Sequence, residues 1–229
     1  MSETPRSFSM PWEKAGWEFL PERAVWWGQE SILIVSDLHL GKAAHFRKNG
    51  IAIPNSVNEN TLKRLDELLQ ARKPKRLLIL GDLFHSEVNE EWQEFRKWLN
   101  GVNNNSWFKE SLLILGNHDV LPVSAYEGLP LSVHQTSVIG EFVFAHDPAD
   151  LEALPIDKIG VAGHLHPAIV MKGKGRQSLK LPGWWFNSVK RFLVFPAFGT
   201  FTGSVAVTPV SGDHCWVTTG RESIKLDLD

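Results

Sequence analysis

The stretch SILIVSDLHLGK, residues 31–42, carries an aspartate and a histidine at the end of an apolar run. A short apolar run bounded by polar residues predicts a buried β-strand. Side chains alternate between the two faces of an extended strand, so we expect Asp37 and His39 to point to the same side, as two ligands of one metal would. A solvated turn at the strand end explains the pair as simply, and this stretch alone does not decide between them.

Two amphipathic helices and two further strands follow in alternation. Residues 57–73 and 89–101 each place their apolar side chains in one helical stripe. The apolar runs in RLLILGD (76–82) and SLLILGNHD (111–119) predict strands. The resulting βαβαβ order predicts parallel strands with right-handed crossovers, and ligands bind beyond the carboxyl ends of such strands.

Beyond residue 130 the pattern changes to short strands separated by glycine and proline, which predicts a second, largely antiparallel sheet. The segments are EFVFAH (141–146), KIGVAGHLH (158–166), RFLVFPAFG (191–199) and SVAVTPV (204–210). A chain of 229 residues without a linker or a repeat can bury one large core. We therefore expect a single domain spanning residues 1–229.

Composition and charge bear on where the protein is located and which kinds of ligand it binds. No apolar run approaches the roughly 20 residues that cross a bilayer, the N-terminus lacks the apolar stretch of a secretory signal, and the single Cys215 excludes an internal disulfide. These features predict a cytoplasmic protein with no membrane span and a buried, unreactive Cys215. From Lys158 to Gly212 the chain has seven basic and no acidic residues, against a net charge of −2 for the whole. Such a segment suits a polyanionic ligand, and it equally suits ordinary surface solvation.

The Asp37 and His39 pair is one of five polar clusters that end apolar runs. The others are GD (81–82), GNHD (116–119), AHD (145–147) and GHLH (163–166). Each has an ordinary explanation by itself, such as a turn aspartate, a helix cap or a histidine satisfied in a core. Together they indicate one site, because five carboxylate, amide or imidazole clusters end strands on the side where a site would form.

The ordered pattern D-x-H, GD, GNH[DE], H, GHxH resembles that of the calcineurin-like metallophosphoesterases, and it is matched from Ser36 to Pro167. The resemblance implies an α/β (α+β) fold, a four-layer αββα sandwich with two mixed β-sheets and two metal ions at the sheet edges. It implies a hydrolase acting on phosphoester bonds. It also implies that Asp37, His39 and His166 hold one metal, that Asn117, His146 and His164 hold the other, and that Asp82 bridges them.

The chemistry of these residues agrees with two divalent metal ions. Two cations about 3.5 to 4 Å apart need a shared carboxylate, and they lower the pKa of a bridging water far below its usual value of about 15.7, so hydroxide rather than Ser or Cys attacks phosphorus. Imidazole, carboxylate and amide ligands without thiolate suit Mn, Fe or Zn, and Mn²⁺ is our prediction. Gly81, Gly116 and Gly163 would let the backbone approach a crowded centre.

Five further residues are predicted around the metals. His118 is expected to protonate the leaving oxygen, with Asp119 orienting its ring and raising its pKa; a packing role for His118 is the alternative. Lys42 and Arg47 follow the first ligand pair, and the Arg47 guanidinium either donates hydrogen bonds to a phosphate oxygen or faces solvent. His85 either touches the substrate or makes ordinary loop hydrogen bonds.

A narrower resemblance involves PERAVWW, SDLHLGKAAHFRKNGIAIP, GDLFHS, AHDP, GHLHPA and PAFGTFTGS. These segments are similar to the ligase-associated DNA-damage-response endonuclease (PdeM-type) family. That resemblance implies a bacterial, Mn²⁺-dependent phosphodiesterase acting on DNA, associated with a DNA ligase and a helicase-like exonuclease. In the basic segment, Trp184 and Trp185 would stack on unpaired bases or, alternatively, form core or dimer contacts.

Three functions are therefore weighed. The first is a metal-dependent phosphodiesterase or nuclease on single-stranded or damaged DNA. The second is a phosphomonoesterase or nucleotide pyrophosphohydrolase of small substrates. The third, a non-catalytic scaffold of the same fold, is disfavoured because all seven predicted ligands are in place. The sequence does not decide between a monomer and an oligomer.

Overall fold

The structure is a computed structural model that describes residues 10–42, 56–173, 175, 177–200 and 202–228. The helices are α1 (Pro11–Lys14), α2 (Ser56–Arg72) and α3 (Glu90–Asn103), with 3₁₀ turns at Val123–Tyr126 and Pro148–Leu151. The strands are β1 (Trp17–Leu20), β2 (Ala24–Trp27), β3 (Ile32–Ser36), β4 (Arg76–Leu80), β5 (Glu110–Ile114), β6 (Leu131–His134), β7 (Ser137–Ile139), β8 (Phe142–Phe144), β9 (Ile159–Ala162), β10 (Pro167–Lys172), β11 (Ser178–Asn187), β12 (Phe192–Val194), β13 (Val205–Val207), β14 (His214–Thr218) and β15 (Ser223–Leu226).

The first sheet has the strand order β1-β2-β3-β4-β5-β6 among the described residues. Strands β3 to β6 pair in parallel, and α2 and α3 connect β3 to β4 and β4 to β5, so the predicted βαβαβ unit is confirmed. The hairpin of β1 and β2 pairs antiparallel with the edge of this unit. Its four-residue strands and β6 are too short to give a clear periodic signal in the sequence.

The second sheet is mixed. Its order is β13-β10-β11-β12-β9-β8-β7, with β14 beside β11 and β15 beside β14. Three pairs are parallel, β8 with β9, β9 with β12 and β10 with β13, and the other pairs are antiparallel. The largely antiparallel sheet predicted from the short segments is therefore present, with parallel pairing of β9 to both its neighbours and of β13 at one edge.

The layers are held by two apolar cores on opposite faces of the first sheet. Leu33 and Val35 pack toward the helices with Leu65 and Phe95, whereas Ile32 packs toward the second sheet. A strand covered on both faces must be apolar at every position, which explains the unbroken run at 32–35. On the outer face of the second sheet Leu151 of a 3₁₀ turn packs on Ala145 and Ala162. The result is the αββα sandwich, whose fourth layer is one short turn in the part of the chain that is described.

Helix α3 is well specified by its own sequence. The Asn89 side chain caps it by accepting a hydrogen bond from the backbone N–H of Trp92 at 3.0 Å. Glu90 and Glu91 in the first turn complement the positive end of the helix dipole. Trp92 is fully buried against the first sheet. These local signals fix the point at which the loop that follows β4 ends and α3 begins.

The aromatic residues of the basic segment belong mainly to the protein interior. Trp184 is fully buried between the sheets, which excludes it as a platform for bases. The indole N–H of half-buried Trp185 donates to Asp213 Oδ2 at 2.9 Å. Cys215 is buried, and burial raises its pKa to about 12, as expected for a small hydrophobe. Among the described helices, none is both long enough and apolar enough to cross a lipid bilayer.

Candidate metal centre

The predicted ligands lie on loops that leave strands of both sheets. Asp37 and His39 follow β3, Asp82 follows β4, and Asn117 is the third residue after β5. His146, His164 and His166 follow β8 and β9 of the second sheet. Adjacent loops are joined by backbone hydrogen bonds, from Asp37 N–H to the Gly81 carbonyl at 3.2 Å and from His39 N–H to the Asp82 carbonyl at 2.8 Å. The first-sheet loops therefore run side by side at one edge of the sandwich.

The backbone of these loops differs from the extended strand expected from the sequence. Five of the predicted ligands have left-handed backbone conformations, a region that side chains other than glycine rarely adopt. They are Asp37 (φ 53°), His39 (φ 49°), Asp82 (φ 48°), His164 (φ 66°) and His166 (φ 47°). The strand alternation invoked for Asp37 and His39, and for the two histidines of GHLH, is therefore wrong. The side chains converge because the chain turns sharply at each ligand after the strand has ended.

The first group of ligand atoms comes from Asp37, His39, Asp82 and His166, all within 4.8 Å of one another. His166 Nε2 lies 3.0 Å from Asp37 Oδ1 and 3.3 Å from His39 Nε2. His39 Nε2 lies 3.6 Å from Asp82 Oδ2. Two imidazole nitrogens and carboxylate oxygens thus surround one small volume.

The second group comes from Asp82, His146 and His164. His146 Nε2 lies 3.3 Å from Asp82 Oδ1 and 3.3 Å from His164 Nδ1. The side-chain oxygen of Asn117 lies 3.2 Å from His146 Nε2, so the amide joins this group as predicted, although the residue is otherwise exposed. Asp82 faces the first group with one oxygen and the second group with the other, which is the arrangement a bridging carboxylate requires.

The hydrogen bonds around the histidines show that the residues fit two cations. Nδ1–H of His146 donates to the Leu80 carbonyl at 3.0 Å, and Nδ1–H of His166 donates to the Gly203 carbonyl at 3.1 Å. Each bond fixes the tautomer whose Nε2 lone pair points into the centre, the form in which imidazole binds a metal. Because His39 and His166 face each other through Nε2 atoms, a cation between them would satisfy both.

The electrostatics of the centre favour charged carboxylates. Burial raises the pKa of Asp82, but hydrogen bonds from His146 and from the His118 backbone outweigh it and hold that pKa well below its usual range. Burial lowers the pKa of His39 to about 3, so its ring is neutral and able to bind a metal. Burial also opposes a charge on His146, but its hydrogen bond to Asp82 raises its pKa to about 9. A cation in the second group would displace this proton.

Three glycines are required by the packing of the centre, as the sequence predicted. A Cβ atom on Gly81 would lie 2.5 Å from Cγ of His146, and one on Gly116 would overlap the Asp82 carboxylate. A Cβ atom on Gly163 would lie 2.5 Å from Asp37 Oδ2 and overlap the hydroxyl of Ser36. Each glycine therefore leaves space that a ligand side chain occupies.

The predicted acid, His118, lies beside the first group. Its ring centroid is 5.8 Å from that of His39 and 4.1 Å from that of His85, so these two predicted residues form one histidine pair. The expectation that Asp119 orients the His118 ring is not met. Asp119 accepts hydrogen bonds from the backbone N–H groups of Gly116 at 2.8 Å and Phe84 at 3.0 Å, so its carboxylate ties two loops together. Burial raises the pKa of Asp119 to about 6.

Of the two predicted basic residues, one is described. Lys42 is half-buried, and burial lowers its pKa while the nearby charges of Asp82 and Asp37 partly oppose that change. Its ammonium group is thus close enough to the centre to interact with its carboxylates. Arg47 lies outside the described residues.

One wall of the centre was missed in the sequence. The loop 196–200 donates backbone hydrogen bonds from Phe198 to the Ser36 carbonyl at 2.7 Å and from Gly199 to the Asp37 carbonyl at 3.0 Å. A Cβ atom on Gly199 would overlap the Leu38 carbonyl. This loop contains no metal-ligating side chain, so only its similarity to a family pattern, PAFGTFTGS, marked it.

The fold and the centre together define a metal-dependent phosphoester hydrolase. Residues 30–193, well over half of the chain, match the family described as Calcineurin-like phosphoesterase, and the chain belongs to that family. No curated protein sequence matches it.

Two solved structures are similar to this chain, to different degrees. The chain is similar to the nuclease MPE of Pseudomonas putida, with 26% identity, a TM-score of 0.70, and coverage of 92% of this chain and 94% of that one. Its likeness to YfcE, a phosphoesterase from E. coli, is weaker, with 17% identity, a TM-score of 0.43, and coverage of 80% of this chain and 86% of that one.

Proposed function

We propose that this protein is a phosphodiesterase of the nuclease type that hydrolyses single-stranded or damaged DNA. The observation that carries the proposal is the pair of ligand groups sharing Asp82 at one edge of the sandwich. Similarity to a nuclease over nearly the whole of both chains supports a nucleic-acid substrate. In the basic segment from Lys158 to Gly212, Lys180 donates to the Ser204 carbonyl at 2.9 Å, next to the Gly203 carbonyl that accepts from His166, and a cation at this place suits such a substrate.

The residues of the chain divide the chemistry among them. When bound, two divalent cations would supply an activated water and neutralise charge on the phosphoryl oxygens. Asp82 offers one oxygen to each cation position, and the carbonyls of Leu80 and Gly203 hold His146 and His166 in the ligand tautomer. The His118 imidazole, beside the first group, is proposed to donate the proton that the leaving oxygen takes up.

Mn²⁺ is the proposed metal because imidazole, carboxylate and amide donors without thiolate suit Mn, Fe or Zn. We also propose association with a DNA ligase and a helicase-like exonuclease in DNA repair, which rests on the likeness of the sequence motifs to the ligase-associated endonucleases. Co-purification of the tagged chain with these two enzymes is the direct measurement for that association.

The substrate proposal is tested by metal reconstitution. The protein is stripped of metal, loaded separately with Mn²⁺, Fe²⁺, Zn²⁺ or Mg²⁺, and assayed on DNA oligomers, nucleotides, diesters and monoesters. We expect Mn²⁺-dependent cleavage of DNA oligomers and a preference for diesters. The Asp82→Asn variant, which removes one of the shared oxygens, is expected to be inactive.

The outcomes separate the candidate functions. Faster turnover of monoesters or nucleotide pyrophosphates than of DNA contradicts the nuclease proposal and favours a small-substrate phosphatase. DNA cleavage that survives in Asp82→Asn shows a contaminating enzyme or a different site.

A further inference from the structure

Arg23 occupies a backbone position that glycine normally takes. Strands β1 and β2 are joined by the three-residue loop 21–23, in which the Arg23 N–H donates to the Leu20 carbonyl at 3.0 Å. Arg23 closes the turn with φ 68°. Three-residue hairpin loops place a left-handed residue here, and glycine adopts that conformation without strain. An arginine held in this conformation is a strained residue whose side chain invites a functional explanation.

The guanidinium of Arg23 is half-buried and has no carboxylate partner within ion-pair distance among the described residues. Its contact is a long hydrogen bond, 3.4 Å from NH1 to the Ala197 carbonyl. Burial lowers the pKa of Arg23, yet a guanidinium stays charged at neutral pH. A half-buried positive charge that faces no negative one favours the binding of an anion.

A small cavity of about 140 Å³ lies next to this side chain. It is lined by Arg23, His166, Thr200, Thr202, Gly203 and Ser204, among others. Ordinary small-molecule pockets have about 300–1,000 Å³, so this smaller one suits a group of the size of a phosphate.

The cavity borders the metal centre, with the ring of His166 between them. His166, a member of the first ligand group, lines it directly, and the Gly203 carbonyl accepts the Nδ1–H bond of the same ring at 3.1 Å. Lys180 of the basic segment donates through Nζ to the Ser204 carbonyl at 2.9 Å and so lies at its rim. An anion bound there would be adjacent to whatever occupies the first metal position.

The other side of the centre has the opposite character. A cavity of about 360 Å³ is lined by Asn117, His146 and the three carboxylates Asp119, Asp147 and Asp150, and no lysine or arginine lines it among the described residues. A polyanionic strand crossing the metals would be repelled on this side. The charge asymmetry directs the next phosphate of a strand toward Arg23.

We propose that the cavity lined by Arg23, Thr200, Thr202, Gly203 and Ser204 binds the phosphate next to the scissile one in a DNA strand, with the Arg23 guanidinium donating to its non-bridging oxygens. This inference rests on the proposed function. In it Arg23 is a substrate-positioning residue outside the set of metal ligands, and the strained turn keeps its side chain directed at the phosphate.

The test compares two glycine variants. Arg23→Gly removes the charge and relieves the left-handed backbone. Lys73→Gly is the matched control, because Lys73 is also a cation with a left-handed backbone, φ 47°, and is exposed just after α2. Both variants should melt at or above the wild-type temperature, since glycine suits both positions. The third variant is Arg23→Lys, which keeps the positive charge but cannot donate two parallel hydrogen bonds to a phosphate as a guanidinium does.

Two substrates distinguish binding of a flanking phosphate from hydrolysis of the scissile one. Bis(p-nitrophenyl) phosphate has one phosphate, whereas a thymidine oligomer also has flanking ones. With Mn²⁺, Arg23→Gly is expected to raise KM for the oligomer by about tenfold or more, as loss of a charged hydrogen bond does, and to leave the simple diester within about twofold. Lys73→Gly should leave both unchanged, and Arg23→Lys should restore part of the oligomer KM.

Binding without metal gives a readout independent of turnover. In EDTA, Arg23→Gly should weaken binding of a fluorescent oligomer, measured by anisotropy, and reduce the slope of log K against log salt by about 0.7, the value for one phosphate contact on a single strand. The subsite is disproved if the salt slope and the affinity of Arg23→Gly match those of wild type. It is also disproved if Arg23→Gly loses turnover equally on the simple diester and on the oligomer. An effect on ATP hydrolysis alone would assign the cavity to a nucleotide and overturn the DNA subsite. If wild type hydrolyses neither substrate while the anisotropy result holds, the proposed function fails and the anion subsite stands.

Discussion

Replacing Gly163 with alanine is expected to weaken metal binding although no ligand is changed. The added Cβ would lie 2.5 Å from Asp37 Oδ2 and 3.0 Å from the Leu80 carbonyl, and it would overlap the Ser36 hydroxyl. That hydroxyl donates to Asp37 Oδ2 at 2.5 Å and also contacts the Leu80 carbonyl at 3.0 Å. The methyl group must therefore displace the group that orients Asp37.

The expected magnitude follows from known effects of such changes. An extra methyl group in a well-packed site destabilises by about 1–3 kcal/mol, and disturbing groups that orient ligands lowers metal affinity about 10–100-fold. A single cation at about 100 times its Kd stabilises the folded state by about 2.7 kcal/mol, and a 100-fold weaker site leaves about 0.4 kcal/mol. Because about 1 kcal/mol shifts Tm by about 2–4 °C in a chain of this size, the metal-induced rise should fall from about 5–11 °C to about 1–2 °C.

The assay is thermal unfolding in EDTA and with Mn²⁺, for wild type, Gly163→Ala and Gly101→Ala. Gly101 lies in α3 with open space around a Cβ atom, so alanine there should stabilise the protein by up to about 1 kcal/mol and leave the metal-induced shift unchanged. A Gly163→Ala protein with the wild-type metal-induced shift would refute the packing of Asp37 against Gly163.

Three further predictions concern single side chains. His118→Asn should retain bound metal, measured by elemental analysis, and lose turnover by about 10²–10⁴-fold; unchanged turnover would assign His118 a packing role. Asp213 accepts hydrogen bonds from Trp185, Ser188 and Val210, so Asp213→Asn should destabilise by about 2–3 kcal/mol at pH 7 in urea unfolding. Burial raises the pKa of Asp213, but these hydrogen bonds lower it overall. Its stabilisation is therefore present above the unfolded pKa of about 3.9 and lost as pH falls through the folded one, and a pH-independent difference would contradict this. Cys215, with its pKa raised to about 12, should resist a thiol reagent at pH 8 in the native protein and react in urea, and rapid native labelling would contradict its burial.

The residue types and their order in the sequence were sufficient to predict which side chains lie together at the metal centre. The carboxyl ends of adjacent parallel strands lie at one edge, so polar residues after β3, β4 and β5 must be neighbours once the βαβαβ unit forms. The same reasoning could not find Arg23 or the loop 196–200. Arg23 lies 14 residues before Asp37 in a hairpin whose pairing with β3 is a tertiary fact, and the loop acts through backbone groups that every residue type carries.

The conformation of the ligands was beyond local reasoning for a physical reason. A left-handed backbone costs an ordinary L-residue about 1–2 kcal/mol, and Asp and His tolerate it better than most but still favour other conformations, so at five ligand positions the local preference opposes the structure. The contacts that override it come from distant segments, such as the bonds from Asp37 N–H to Gly81 and from Gly199 N–H to Asp37. Because these distant hydrogen bonds hold the ligands in place, an added group that displaces one of the bonded segments also displaces a ligand. For that reason a methyl group at Gly163, which touches no metal, is expected to weaken metal binding.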